Sequence, residues 1–350
     1  MCAWTGNGIK LENDLQIIIF FFLEKIYISE IIYISKIILI IYKMNNKIIV
    51  EQYNEFITIL KFNNPPIHTM TAESVKELCY FLGHLKKNIA EGNSSLRVLM
   101  LTGAEAAQKA NIFIRSYDVS ELSASSLGQK ITTSKNNMDE YPPVPQEYRV
   151  QGLDGCLKCM EALPLITVAA INGLAMGGGM ELTLGCDFRL ISASSNGYGL
   201  PETSVGILPG GGGTQRLARM LGTAKALDFI LHAKLMKPAQ ALELGVVHRV
   251  YPANTFYADA LDFCIDLSNR APVALAASKI CIQQGTQLSL SDGLKLESIE
   301  FGKTMRSDDA KRAMKTVAQS YGKDTSLGKY KNAKDPGFEW DSKYPPNSKL

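Results

Sequence analysis

The stretch INGLAMGGGMELTLGCDFRLISASSNGYGLPETSVGILPGGGG, Ile171 to Gly213, decides how this chain reads. A β-rich run, Ile166 to Ile171, delivers the backbone into Gly177-Gly178-Gly179. Successive glycines hold unusual φ/ψ and let a ligand approach bare N–H groups. Helical periodicity begins near Met180, so those N–H groups fall at a helix N-terminus, where developing negative charge is favoured. Glu181 lies in the first turn of that helix, and Glu202 follows a second strand and a Gly-Leu-Pro turn. Either glutamate alone reads equally well as a helix-capping or a surface residue. Together, beside a glycine-built oxyanion site, they point to acid/base chemistry on a carbonyl compound.

Outward from this stretch, composition bounds the rest. A chain of 350 residues buries one large core, or one domain with extensions. A net charge of +3 without a concentrated basic stripe argues against a nucleic-acid surface. Seven cysteines, an odd number spread from Cys2 to Cys281, do not form a disulfide framework. Cys156 and Cys159 make a CxxC on an expected helix, with no second set at zinc spacing, and read as reduced thiols. His68, His84, His232 and His248 lack helical metal spacing, so no metal site is expected. Gly210 to Gly213 has the look of a phosphate loop, but no Gly-Lys-Ser/Thr follows, which excludes nucleotide hydrolysis.

The ends differ from the middle. Residues 1–43 are dominated by Ile, Tyr and Phe, yet their longest uncharged run, Leu15 to Leu23, has nine residues. That is about half the ~20 a membrane-spanning helix needs, so no stable span is expected. Nor does this segment carry a transit-peptide or secretory pattern. The folded protein is expected to begin at or near Met44. The C-terminal Ser348-Lys349-Leu350 is the address read by the peroxisomal import receptor, and it ends a solvated tail, residues 322–350. The expected location is therefore the peroxisomal matrix.

Between the ends, Lys47 to Val50 and Glu55 to Phe62 read as strands joined by a turn at Gln52 to Asn54. Thr71 is a candidate helix cap, and Val75, Leu78, Cys79, Leu82, Leu85 and Ile89 share one helical face. Arg97 to Thr102 is a short buried strand, so strand-helix-strand order predicts parallel strands with crossover helices. Residues 104–122 read as a loop over the sheet edge leading into a helix, and Ser123 to Val150 as a surface loop. Asp154 to Leu163, Gly213 to Gly222 and Thr223 to His232 read as helices, and Val246 to Tyr251 as a strand. Beyond Ala253 the pattern is almost wholly helical to Tyr321, with Ser307-Asp308-Asp309 opening the last helix.

Taken together, NGLAMGGGMELTLGCD, the GLPE turn and VGILPGGGGTQRLARMLG resemble the crotonase (enoyl-CoA hydratase/isomerase) superfamily. The resemblance covers roughly Lys47 to Tyr321. It implies an α/β fold: a spiral of ββα units over residues 44–252, then a helical region over residues 253–321 used in trimer formation, with trimers often paired into hexamers. It also implies an acyl-CoA thioester as substrate and no metal or redox cofactor. Gly178 matches the glycine whose N–H forms half of an oxyanion hole. Glu181 and Glu202 match the two catalytic carboxylates of the hydratases, with Glu202 serving C2 and Glu181 the water. The other half of the hole reads Phe113-Ile114-Arg115-Ser116-Tyr117-Asp118, against a usual Phe, two small residues, Gly, a small residue and Asp. Tyr117 takes the donor's position and Ser116 a glycine's; Ser116, Asp118 and Gly177 are expected against the substrate. The implied reaction is hydration of the 2,3 double bond of an enoyl-CoA in fatty-acid β-oxidation. An enoyl- or dienoyl-CoA isomerase and a catalytically weakened binding protein are the alternatives.

Overall fold

Two apolar segments open the fold because each can bury one face and pair its backbone with the other. Ile48–Asn54 (β1) and Ile57–Phe62 (β2) run antiparallel, with Ile48 opposite Phe62. The reversal falls at Glu55 and Phe56, later than the expected Gln52–Asn54 turn. Asn54 explains the shift: its Oδ1 accepts from the N–H groups of Phe56 and Ile57, both at 2.9 Å, closing the turn with a side chain. Helix α1 (Ala72–Ala90) is capped by Thr71, whose Oγ1 accepts from Ser74 N–H. All six apolar residues of its predicted face are buried.

The computed structural model describes residues 47–129 and 143–320. Sequence readings that fall on residues 1–46, 130–142 and 321–350, the import tripeptide among them, lie outside the described residues. No described helix is long and apolar enough to cross a membrane.

Residues 104–122, expected as a loop leading into a helix, do lead into one, but before it they contain α2 (Glu105–Lys109) and a strand after β3 (Val98–Gly103), namely β4 (Ile112–Ile114). Helix α3 (Val119–Ser126) follows and carries regular structure into the expected surface loop. Then come α4 (Gly152–Ala162), β5 (Ile166–Ile171), β6 (Leu174–Met176), α5 (Gly178–Leu184), β7 (Phe188–Ser192) and β8 (Tyr198–Gly199). Helices α6 (Gly213–Leu221) and α7 (Thr223–Leu231), β9 (Leu235–Met236), α8 (Pro238–Glu243) and β10 (Arg249–Tyr251) complete the spiral. The C-terminal region is α9 (Phe256–Ser268), α10 (Pro272–Gly285), α11 (Leu290–Arg306) and α12 (Asp308–Ser320). Ser307 caps the last of these, accepting from Ala310 N–H at 3.2 Å.

The strands form two sheets. The larger has the order β1-β2-β3-β5-β7-β10, parallel after the first hairpin. Ile57, Ile59, Val98, Met100, Val168 and Leu190 pack on Phe256, Ala260 and Cys264 of α9. The intervening Leu60, Leu99, Leu101 and Ala169 are buried on the opposite face. Burial on both faces is why these strands read as continuous apolar runs rather than alternating ones. Truncating one such side chain, as in Met100→Ala, costs about 2–5 kcal/mol.

The smaller sheet has the order β4-β6-β8-β9, with β4, β6 and β8 parallel. It positions the site. Parallel neighbours end on the same edge, so the segments that follow β4, β6 and β8 emerge side by side. These are residues 115–118, 177–181 and 200–202.

Candidate active site

Gly177 makes the turn between β6 and α5 with φ +52° and ψ −127°, a conformation that side-chain-bearing residues rarely hold. Its N–H donates to the Gly199 carbonyl at 2.9 Å, tying this turn to the strand that leads to Glu202. Its carbonyl accepts from Glu181 N–H at 2.8 Å and so starts α5. Gly178 is the first residue of that helix, so its N–H lies outside the helical ladder and belongs to the positive end of the helix dipole.

Tyr117 comes to the same point from β4. Met70 and Tyr117 form a parallel bridge in which Met70 N–H donates to the Ser116 carbonyl and Asp118 N–H to the Met70 carbonyl, both at 2.8 Å. That pairing leaves the N–H of Tyr117 itself unused. Gly178 is packed against it: a Cβ on Gly178 would lie 3.5 Å from the Tyr117 main-chain nitrogen and 3.4 Å from its Cβ. The two residues whose main-chain N–H groups are the candidate oxyanion donors are thus in contact, although they come from different elements.

The Tyr117 phenol is hydrogen-bonded to Glu121, and burial, followed by Glu121 and Asp118, pushes its pKa up to about 12. The ring is therefore tied to α3. Ser116 does not adopt a positive φ, so it stands in for glycine without strain. The Asp118 carboxylate caps α3, accepting from Ser120 N–H at 2.9 Å and from the Thr69 hydroxyl at 3.2 Å. These bonds hold its carboxyl below the usual range, Ser120 first. Asp118 fixes the shape of the 115–118 segment. Arg115 is exposed, with its N–H on the His68 carbonyl.

The two glutamates meet different surroundings. Glu181 is buried, and its Oε1 accepts from Gly213 N–H at 2.8 Å. Burial raises its pKa, while hydrogen bonds from the Gly213 and Gly211 N–H groups and the charge of Arg216 pull it back down. Glu202 begins a 3-10 turn, Glu202–Val205, after Leu200 and Pro201. Its Oε2 is buried without a hydrogen-bond partner, and its Oε1 lies 2.6 Å from where a Cβ on Gly177 would stand. Burial first, then the neighbouring Glu181 charge, pushes its pKa up to about 7.

The structure therefore brings together Tyr117, Gly177, Gly178, Glu181 and Glu202. It also shows contacts that the sequence did not reveal. The glycine run at 210–213 wraps the Glu181 carboxylate: a Cβ on Gly211 would lie 2.6 Å from Glu181 Oε2, and one on Gly213 3.0 Å from Oε1. Behind that loop Arg216 forms a forked pair with Glu161, at 2.6 Å from Nε to Oε1 and 3.1 Å from Nη2 to Oε2. Arg216 stood in the sequence right after the glycine run, which was the only signal; Glu161, 55 residues away, gave none. His68, with φ +58°, is buried with its Nδ1 unpartnered, and burial lowers its pKa.

Cys156 is fully buried with its Sγ 3.3 Å from that of Cys79, and Cys159 is partly buried beside it. Among the described residues no group of three or more His, Cys, Asp or Glu is placed to hold a metal ion.

Comparison with known proteins gives the family. The enoyl-CoA hydratase/isomerase family model covers residues 52–321. The short-chain-enoyl-CoA hydratase of Clostridium acetobutylicum is 30% identical over 270 residues, 77% of this chain and 93% of that protein. The mitochondrial methylglutaconyl-CoA hydratase of Rattus norvegicus is 41% identical over a shorter stretch of 151 residues, 42% of this chain and 48% of that protein. Among solved structures, an enoyl-CoA hydratase from Bacillus anthracis superposes with a TM-score of 0.64 at 27% identity, covering 78% of this chain and 96% of that one. The chain is a member of the enoyl-CoA hydratase/isomerase family, with the crotonase fold.

Proposed function

We propose that this protein is a hydratase that adds water across the 2,3 double bond of an enoyl-CoA thioester. The observation that carries this reading is a pair of carboxylates with opposite surroundings next to two unspent main-chain N–H groups. Water addition needs a base for the water, an acid for C2, and donors for the thioester oxygen as enolate charge develops. Glu181, held by N–H donors and a nearby guanidinium, suits the base. It takes a proton as the water oxygen bonds to C3. The N–H groups of Tyr117 and Gly178 suit the enolate oxygen. Glu202, with a pKa of about 7, is half protonated near neutral pH and suits delivery of that proton to C2. An isomerase moves one proton between carbons and needs a single shuttle, so a second furnished carboxylate favours hydration.

The names of the relatives support the acyl-CoA class: one is a short-chain-enoyl-CoA hydratase and another a methylglutaconyl-CoA hydratase. Self-association through the C-terminal helices belongs to the same proposal, since Ile282, Leu290, Leu294, Ile299 and Phe301 are exposed on α10 and α11. A monomeric mass by light scattering would count against that part.

The test of the reaction is incubation of the purified full chain with crotonyl-CoA, and separately with a 3-enoyl-CoA. Hydration predicts loss of the conjugated thioester absorbance with crotonyl-CoA. Conversion of the 3-enoyl-CoA to its conjugated isomer, with no loss of absorbance from crotonyl-CoA, would overturn it in favour of isomerisation.

A further inference from the structure

We propose that Arg216, braced by Glu161, is a positioning residue that keeps Glu181 ionised and aimed at its water. This rests on the reading of Glu181 as the base. Arg216 stands in the first turn of α6, and Glu161 is near the end of α4. Their two parallel bonds fix the guanidinium plane, and the side chains are only 16% and 33% exposed. A forked pair sheltered to this degree holds its geometry better than a surface ion pair does.

The third arm of the guanidinium reaches the glycine loop, Nη1 donating to the Gly211 carbonyl at 3.3 Å. Gly212, with φ +96°, leaves room for it; a Cβ there would come within 2.1 Å of Nη1. Gly211 is thereby gripped on two sides, its carbonyl by Arg216 and its N–H by Glu181. Helix α4 touches the same loop a second time, with Leu153 Cδ2 2.9 Å from where a Cβ on Gly211 would sit. The loop is a rigid spacer between base and guanidinium. Arg216 holds its far side while its N–H groups face Glu181.

Electrostatics point the same way. The charged group that acts on Glu181 is Arg216 from α6, with Glu161 behind it; Glu202, on the turn after β8, is the neighbouring acid that the Glu181 charge in turn raises. Burial favours the protonated, inactive form of the base. Arg216 and the two N–H donors favour the carboxylate. Loss of Arg216 removes the charge and loosens the donors together.

The experiment is the pH dependence of kcat/KM for crotonyl-CoA hydration by the full chain and by Arg216→Met, Arg216→Lys, Glu161→Gln and Glu181→Gln. Arg216→Met should lower kcat about tenfold or more with KM within about threefold, and move the acid limb upward by about one pH unit. Arg216→Lys should restore the limb but only part of kcat. Glu161→Gln keeps the Arg216 charge but frees its plane, so it should lower kcat about threefold or more while its limb does not move upward. An unmoved limb in Arg216→Met overturns the proposal. Should that variant fail to fold, parental kcat in both Arg216→Lys and Glu161→Gln overturns it instead. The Glu181→Gln arm separates the two levels: if it abolishes hydration while the Arg216 variants leave the limb in place, only the positioning role falls. Full turnover in Glu181→Gln removes the base assignment and this proposal with it.

Discussion

Glu181 and Glu202 are the same residue type near one another, yet the fold furnishes them in opposite ways. Glu181 arises from a helix, and the glycine loop at 211–213 folds back over it with N–H donors and a guanidinium behind them. Glu202 arises from a 3-10 turn and rests one oxygen on Gly177, leaving the other buried and unpartnered. Burial raises both pKa values. Only Glu181 receives donors from neighbouring residues and a positive charge that pull it back. On the proposed reading, this contrast is how a pocket built from two identical acids separates a base from an acid: donors from neighbouring residues surround one but not the other.

The sharpest way to break this comparison is to remove each charge in turn. Glu181→Gln and Glu202→Gln should each lower hydration about a hundredfold or more, with circular dichroism and thermal midpoint close to those of the parent. Near-parental turnover in either variant would end the two-carboxylate account. The next effect acts through glycine. Gly211→Ala sets a Cβ 2.6 Å from Glu181 Oε2, whereas Gly210→Ala meets nothing nearer than the Leu208 carbonyl at 4.0 Å. The first should cost about tenfold or more in kcat as the base is pushed aside, and the second should cost little. Steady-state kinetics showing equal losses would mean that the loop is not a nest for Glu181.

A gentler test is pH. Glu202 must be protonated to supply C2, so kcat/KM should fall as pH rises through about 7. Glu181 must be ionised to take the proton from water, so activity should also fall at low pH, with that limb above the ordinary carboxylate range. The residual activity of Glu202→Gln should lose the alkaline limb and keep the acid one. A profile flat from pH 6 to 9 in the parent enzyme would contradict the acid assignment.

Much of this site was legible in the sequence because its parts are local. Gly177-Gly178-Gly179 ahead of a helical pattern marks the helix start, and Gly-Leu-Pro marks the turn before Glu202. The long strands of the larger sheet announce themselves by their apolar runs. The smaller sheet does not, since β6 has three residues and β8 and β9 two each, too few for any period to register. This is why β4 was hidden in what read as a loop. The glycine run at 210–213 was visible, but its purpose was not. It depends on Leu153, Glu161 and Glu181, which reach it only through folding. The hairpin turn moved for a similar reason: Asn54 closes it with its own side chain.

The central claim, that the two acids divide the work, is tested most directly by exchange of the C2 proton of butyryl-CoA in deuterium oxide, followed by NMR. A saturated thioester cannot add water, so exchange calls on the C2 acid and the N–H pair of Tyr117 and Gly178 without the water base. The account predicts that Glu181→Gln keeps exchange within about threefold of the parent, while Glu202→Gln loses about a hundredfold or more. Parental exchange in Glu202→Gln, or its loss in Glu181→Gln alone, would contradict the division.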